Sequence, residues 1–487
     1  MAPDSQPAPP PPRRTLADLP PELKGMIARM ARDQDLAYEA RRIRGYFPMP
    51  VLSGINEWDG RSAHALSLAD RSWHSAVAPV LFETITSERC RKNLFGFRIV
   101  PRFGRSVKKV SFEDDSKDAD WKALFRALPL FITLEHVKFD EQPGIALFNT
   151  SGQPDSEQAT CREALGMVAP SISSLELQMT VPDALVWMLP LFINLRRLEW
   201  SVYVEYDVAT DLRPAALALA RCSKLEHLTL ELMTEAMFAE LVKVGVGPSL
   251  SPSLRSLHLD HDLGMQFGKD AWNFIRSFKD TVETVRLGFS CHRLSNDVWE
   301  ESDKPPSPFP KLQRLTIKVG LGNTDITPLL KLFSASPICH LSLSVFGDGF
   351  GDSSGTARDA LPSTSLLETI LRLYPTYLQS VHLDYRPFTN AAHLHSLAPT
   401  LSSLASTRNV FLTLNPSYDV FQHPSTSRLA YSVPPLNLNQ SCHDIEDVLK
   451  FGSEQAAGFR MTKDAFAMER LIKALEPLKA SMMRARD

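Results

Sequence analysis

The chain lacks any long apolar run, any close cysteine spacing and any net charge of consequence, and each absence excludes a class of protein. Its longest uninterrupted apolar run, Ala184–Ile193, falls far short of the ~18 residues a membrane span needs. Six cysteines stand at positions 90, 161, 222, 291, 339 and 442. Separations of 48 to 103 residues suit neither a disulfide scaffold nor a zinc site, so reduced thiols in cytoplasm and/or nucleus are expected. With 53 basic against 56 acidic side chains, the net charge is −3, which argues against a general nucleic-acid binder. The first residues carry proline and Asp4 rather than a basic stretch and an apolar core, so no secretory signal is expected. The glycosylation-like triplets at Asn149 and Asn439 are then chance matches.

Signals of catalysis are equally thin. Gly351-Asp352-Ser353-Ser354-Gly355 fits G-x-S-x-G, but a nucleophile elbow needs a strand turning straight into a helix. This match sits in a glycine-rich loop ahead of the next helical stretch. Asp260-His261-Asp262 alternates along a strand, so the three side chains do not converge on a metal. Cys442-His443 has no partners at ligand spacing. No catalytic residue, metal or cofactor is expected.

A repeat is present. The pattern L-x-x-L-x-L, or a close substitute, recurs about ten times between residues 107 and 383. Representative units are Leu195-Leu198-Trp200, Leu225-Leu228-Leu230, Leu254-Leu257-Leu259 and Leu312-Leu315-Ile317. Five consecutive gaps between first anchors, from 195 to 338, are 26 to 30 residues. The fourth and sixth positions are apolar and their neighbours mostly polar, which marks a strand with one buried face. Between units, Asp183–Phe192, Ala215–Ala220, Glu235–Val244, Asp270–Phe278, Thr327–Phe333 and Leu366–Tyr374 carry apolar residues at helical spacing. A single unit cannot bury its apolar side. Stacking makes one continuous core, and the fold class expected is α/β.

These anchors resemble leucine-rich repeats, over roughly 280 residues. The resemblance implies a solenoid with parallel strands on a concave wall and helices on a convex one. The family usually places Asn or Cys three residues after the third anchor. Here that place holds Thr180, Tyr203, Met233, Asp262, Ser290, Gly320, Phe346 and Arg386. An irregular horseshoe with varied turns is therefore expected.

Around the repeats, residues 1–14 carry six prolines and are expected to be disordered. Residues 91–414 form the expected solenoid. Residues 415–487 hold a Pro-, Ser- and Asn-rich loop and a helix over Lys463–Ala485, which either caps the solenoid end or docks a partner.

Residues 15–90 form a separate helical module. Pro20-Pro21-Glu22 suits a helix start, and Leu23, Met26, Ile27 and Met30 then fall on one stripe. A second helical stretch begins near Ser62, with Leu66, Ala69, Trp73 and Val77 on one face. Leu19-Pro20-x-Glu22-Leu23-x-x-x-Ile27, then Leu66-x-Leu68-Ala69-x-Arg71-Ser72-Trp73-His74, Val77, Pro79, Leu81 and Phe82, resemble the F-box. That resemblance implies docking on a Skp-family adaptor joined to a cullin-RING ubiquitin ligase. Leu19, Pro20, Leu23 and Ile27 would form the first patch. Leu68, Trp73, Val77, Leu81 and Phe82 would add docking contacts or pack the module internally. The two halves are separated by an insertion at 37–61, longer than usual for the family. The other reading of the module is a helical N-terminal cap on a repeat scaffold with no ubiquitin link.

In each repeat the third, fifth and seventh positions should leave the strand away from the helices. Glu176, Glu199, Glu231 and Asp260 come first along the chain, and Arg286, Arg314 and Lys318 later, with His258 and His382 at fifth positions. Glu199, Glu231, His258, Asp260, Arg286, Arg314 and Lys318 are thus the candidate substrate-binding residues. They would suit a target protein of complementary split charge.

Overall fold

The computed structural model describes residues 16–43, 61–87, 100–112, 121–140, 156–179, 183–202, 212–261, 267–289, 295–320, 326–346, 364–385, 400, 404, 408–414 and 436–437. Within them the chain is an α/β repeat fold, strand alternating with helix. It divides into two compact units, Met1–Val137 with Glu163–Val168, and Lys138–Arg162 with Ala169–Asp487.

The first unit opens with helices α1 (Pro21–Ile43), α2 (Arg61–Ser67) and α3 (Arg71–Leu81). The helical stretch expected from Ser62 onward is broken at Leu68–Asp70. Asp70 takes an extended backbone, φ −161°, and accepts the N–H of Trp73 at 2.9 Å. An Asp that caps a new helix ends the old one, which the apolar spacing alone does not reveal. Ala28, Ala63, Trp73, Val77 and Val80 form the core of the three helices, with Leu19, Leu66 and Leu81 packed against it. Strands β1 (Thr84–Thr86), β2 (Lys109–Phe112) and β3 (His136–Phe139) follow, and the boundary of the two units falls inside β3. β1 and β2 pair in parallel, with Thr84 opposite Lys109.

The second unit carries β4 (Ser174–Met179), β5 (Arg197–Val202), β6 (His227–Met233), β7 (Ser256–His261) and β8 (Thr284–Phe289). It continues through β9 (Arg314–Gly320), β10 (His340–Phe346), β11 (Ser380–Tyr385) and β12 (Asn409–Leu414). These nine are paired in parallel, each with its neighbour in sequence. A short β13 (Leu436–Asn437) closes the edge antiparallel to β12. Helices fall where the spacing predicts them, among them Asp183–Met188, Arg213–Ala220, Glu235–Val244, Lys269–Arg276, Thr327–Leu332 and Thr364–Leu373. Crossovers between parallel strands of one sheet are right-handed as a rule, which puts the connecting helices of the described residues on one side of it. The fourth and sixth positions of each repeat, such as Leu228 and Leu230 or Leu315 and Ile317, are buried on that side.

One hydrogen-bond arrangement recurs along each of the two units. The carbonyl of a repeat's second residue accepts the N–H groups of the second and third residues of the next repeat. Lys108 and Lys109 donate to Glu83, both at 2.9 Å, and Glu135 and His136 to Lys108. In the second unit Arg196 and Arg197 donate to Ser173, Glu226 and His227 to Arg196, and Arg255 and Ser256 to Glu226. The series runs on to Asn409 on Gln379. By this criterion the repeats reach further than the apolar pattern indicates. In the first unit the arrangement begins at Glu83, inside the segment expected to be a helical module, and in the second it ends at β12. The pattern hides both ends because Ser87 replaces the sixth-position leucine in one, and Thr407 replaces the first anchor in the other.

The absent Asn ladder has a counterpart on the other side of the strand. The residue just before the first anchor bonds back to the preceding repeat. Thr133 Oγ1 donates to the carbonyls of Arg105 and Val107 at 2.8 and 2.9 Å. Asn194 Nδ2 donates to Pro170 at 2.8 Å. Ser253 Oγ reaches the carbonyls of Ser223 and Leu225 at 2.7 and 2.9 Å. Where the family's Asn would stand, β6 instead buries Met233. The strand reaches it through a bulge after Leu230 and a left-handed Leu232, φ 59°.

A further side chain joins the helices Glu235–Val244 and Lys269–Arg276 of successive repeats. The Glu235 carboxylate accepts the N–H groups of Gly268, Asp270 and Ala271 at 2.6, 3.1 and 3.4 Å. It thereby caps the helix Lys269–Arg276 from the start of the helix Glu235–Val244. A β-carbon at Gly268 would lie 2.6 Å from that carboxyl carbon. Glu235→Ala leaves these amides without their acceptor and is expected to cost about 1–3 kcal/mol. Glu235→Gln should cost less. Urea unfolding measures both, and an unchanged midpoint in Glu235→Ala would show that the cap is not structural.

Candidate functional site

Two surfaces emerge. The first lies on α1, which is turned inside out relative to an ordinary amphipathic helix. Its apolar stripe faces solvent: Leu23 is 43 % exposed, Met26 54 %, Ile27 36 % and Met30 69 %. Its inward side carries Ala28 and the buried Lys24. Lys24 donates to Ser72 Oγ and lies 5.7 Å from the Trp73 ring centre. Ser72 donates in turn to Asp70 at 2.7 Å. The Ser72 hydroxyl and the Trp73 N–H hold the Asp70 carboxyl below its usual range. The lysine thus faces a carboxylate through one hydroxyl, while four large apolar side chains remain wet. A helix with no binding duty would be expected to bury the stripe and expose the lysine.

Of the residues expected to dock a partner, Pro20, Leu23, Ile27 and Leu68 are exposed, and so are Leu16, Met26 and Met30. Trp73 and Val77 are buried in the core, so of the two roles left open for them the packing one is the one their burial fits. They lie on the inner face of α3, which the capping by Asp70 orients. Leu19 and Leu81 pack partly against the same core. Phe82 stacks on Phe103 with ring centres 4.5 Å apart.

The same unit ties α1 to its first strands through Glu83. The Glu83 carboxylate, itself buried, meets Arg29 Nε at 3.1 Å, Arg32 Nη1 at 2.6 Å and Lys108 Nζ at 3.6 Å. Burial alone would raise its pKa, but these cations outweigh burial and hold it below the usual range. Breaking one partner of such a buried cluster leaves charge uncompensated.

The second surface is the sheet face away from the helices. Hydrogen-bond register places Glu176, Glu199, Thr229, His258, Arg286, Thr316, Ser342 and His382 in one cross-strand column, from β4 to β11. The expected fifth-position residues are thus brought together. Glu231 lies in the adjacent column opposite Ser201, whose hydroxyl donates to it at 2.6 Å. Asp260 leans over Gly288, where a β-carbon would meet its Oδ1 at 2.5 Å. Lys318 pairs in register with Gly288. Arg314 is exposed at the start of β9.

Charge on this face is only half solvated, a feature that sequence position does not show. Lys138, at the fifth position of its own repeat, is reachable by the same column rule. Its ammonium meets Glu176 at 3.2 Å and Asp140 at 3.3 Å. Burial opposes its charge, yet the two carboxylates raise its pKa. Glu199, between Glu176 and Glu231, forms no ion pair among the described residues. Burial first, then the charges of Glu176 and Glu231, push its pKa up to about 7, against the opposite pull of Arg197 and Lys138. His258 is pushed down to about 3 by burial and by Arg286. It is therefore neutral near pH 7, not one of the cations of this face. Its Nε2 is buried without a hydrogen-bond partner.

Among the described residues no group of three His, Cys, Asp or Glu side chains is placed to hold a metal, and no helix is long and apolar enough to cross a membrane. Cys161, Cys222 and Cys339 are free thiols, and burial pushes Cys222 up to about 11. Gly351–Gly355, residues 1–14, the core of the 37–61 insertion and the helix expected over Lys463–Ala485 lie outside the described residues. No protein-family model matches the chain, and a search of curated proteins finds no match either.

Glu199 gives a pH test. Its folded pKa lies above the ordinary carboxylate value, so ionising it opposes folding. That penalty is absent near pH 4.5 and grows as pH rises through 7. Glu199→Gln is therefore expected to stabilise by about 1–3 kcal/mol at pH 8 and to be near neutral at pH 4.5. Thermal melts of variant and parent at both pH values measure this. A variant equally stable with its parent at pH 8 would remove the strain assigned to Glu199.

Proposed function

We propose that the chain is the substrate-recognition subunit of a cullin-RING ubiquitin ligase of the SCF type. In this reading α1–α3 form an F-box that docks a Skp-family adaptor, and the strand–helix repeats are leucine-rich repeats that hold the target protein. The chain itself carries out no chemistry. It raises the local concentration of target beside the catalytic subunits of its partners.

The observation that carries this reading is the outward-facing stripe Leu23, Met26, Ile27 and Met30, with Pro20 and Leu68 also exposed. A small module that buries a lysine and exposes this much aliphatic surface has a partner to cover it. Each large aliphatic side chain buried on docking contributes about 1.5–3 kcal/mol relative to leaving it wet.

A second reading, a repeat scaffold whose helical module is only a cap, draws on the Glu83 cluster, which joins α1 to the first strands. The two readings differ over the stripe. A cap needs Glu83 but not Leu23 or Ile27.

Co-purification of the full chain with a Skp-family adaptor is the test. Leu23→Asp combined with Ile27→Asp is expected to weaken adaptor capture at least about ten-fold. Its melting temperature should stay near the parent's, because both side chains already face water. Trp73→Ala should lose adaptor too, but by unfolding the module at a cost of about 3–5 kcal/mol. Absence of adaptor binding by the parent chain would overturn the ligase reading and leave the scaffold.

A further inference from the structure

The charges of the open sheet face segregate along the strand order. Across β3 to β6 the described strand and flanking residues Asp140, Glu176, Glu199 and Glu231 set four carboxylates against two cations, Lys138 and Arg197. Across β7 to β9 the cations Arg286, Arg314 and Lys318 outnumber Asp260, the one carboxylate among the face positions of those strands. The acidic half and the basic half meet in a single register column. Glu199, Thr229, His258 and Arg286 are successive cross-strand partners on β5, β6, β7 and β8. An acid and a base therefore stand three strands apart, on the order of 14 Å at ~4.8 Å per strand. Between them lie one small side chain and one histidine. That histidine is neutral because burial and Arg286 disfavour its proton.

This spacing is itself a specification. An extended peptide advances ~3.3 Å per residue, so 14 Å is about four residues. Thr229 is short, which leaves the middle of the column low. Glu199 already lacks a cationic partner among the described residues, whereas its neighbour Glu176 is served by Lys138. Nothing in the column reads a long apolar side chain.

We propose that the column Glu199–Thr229–His258–Arg286 is a docking track for an extended segment of a partner protein that presents a basic and an acidic side chain about four residues apart. The basic side chain sits on Glu199, flanked by Glu176 and Glu231. The acidic side chain sits on Arg286, with Lys318 one strand further on. The backbone of the segment crosses the strands over Thr229 and His258. This deepens the reading of the repeats as the target-holding surface and rests on it. Its recognition element is a charge pair at fixed spacing, not a single charged patch.

The test uses the full chain and three fluorescein-labelled decapeptides of Ser, Ala and Gly. They carry at two positions four apart either Arg and Glu, Arg and Arg, or Glu and Glu. Fluorescence anisotropy at low salt is expected to show the mixed peptide binding about ten-fold more tightly than the other two. Glu199→Lys should shift the preference to the Glu/Glu peptide. Arg286→Glu should shift it to the Arg/Arg peptide, so that either variant alone tests the track if the other does not fold. Affinities within about two-fold of one another for all three peptides, no measurable binding, or an unchanged preference in the folded variants would each overturn the track. Adaptor capture on the same preparation separates this from the ligase reading. A chain that discriminates the peptides but holds no adaptor keeps the track and loses the ligase. A chain that holds the adaptor but treats the peptides alike loses only the track.

Discussion

Everything on this chain's sheet depends on one shared carbonyl per repeat. The backbone oxygen of the second repeat residue receives two N–H groups from the next repeat, as Glu226 receives Arg255 and Ser256. Because each oxygen meets the same two positions, no strand can slip against its neighbour without losing both bonds. A slip of one residue would turn every leucine of the fourth and sixth positions outward. The constraint therefore aligns columns of side chains across strands that are about 30 residues apart in sequence. The burial of Leu198, Leu228, Leu257, Val285 and Leu315 as one column and the alignment of Glu199 with Arg286 have the same cause.

The helical module obeys a different logic. Its core is small, and it is completed by polar side chains placed where an ordinary helix would bury apolar ones. Lys24 reaches Asp70 through Ser72, and Asp70 starts α3. Glu83 gathers Arg29, Arg32 and Lys108. These ionic and hydrogen-bonded contacts orient α1 with its aliphatic stripe outward. Stability is thereby supplied by groups that need defined partners, and the non-directional apolar surface is left facing solvent. Turning the helix over would bury more apolar area but would leave the buried Glu83 carboxylate without Arg29 and Arg32.

Much of the repeat is legible in the order of residues alone. Period-two alternation at near-constant spacing locates the strands from β2 to β11, and the linking helices lie where three- and four-residue spacing puts them. The ends are not legible. Ser87 follows β1 and Thr407 precedes β12, so backbone hydrogen bonds continue a pattern that side chains have dropped. The polar ladder of Thr133, Asn194 and Ser253 is hidden for a related reason. Three different residue types perform one task, because hydroxyl and amide can each donate to the same carbonyl. In the module, the face shared by Leu66, Trp73 and Val77 is visible. Its interruption by the Asp70 cap is not, and so apolar spacing does not separate Trp73 and Val77 from the exposed Leu23, Ile27 and Leu68.

By itself the sequence determined which residues belong to which column, because alternation and repeat spacing are properties of order along the chain. It likewise determined that α1 carries an aliphatic stripe. Only the tertiary structure decided which way that stripe points, since this depends on Lys24, Asp70 and Glu83 meeting residues that are remote in sequence. Only the tertiary structure decided the charge states on the sheet face. Glu199 and His258 are ordinary residues in the sequence. Burial and the neighbours on adjacent strands push one up to about 7 and the other down to about 3, because a carboxylate or an imidazolium loses hydration there that local sequence neighbours do not replace.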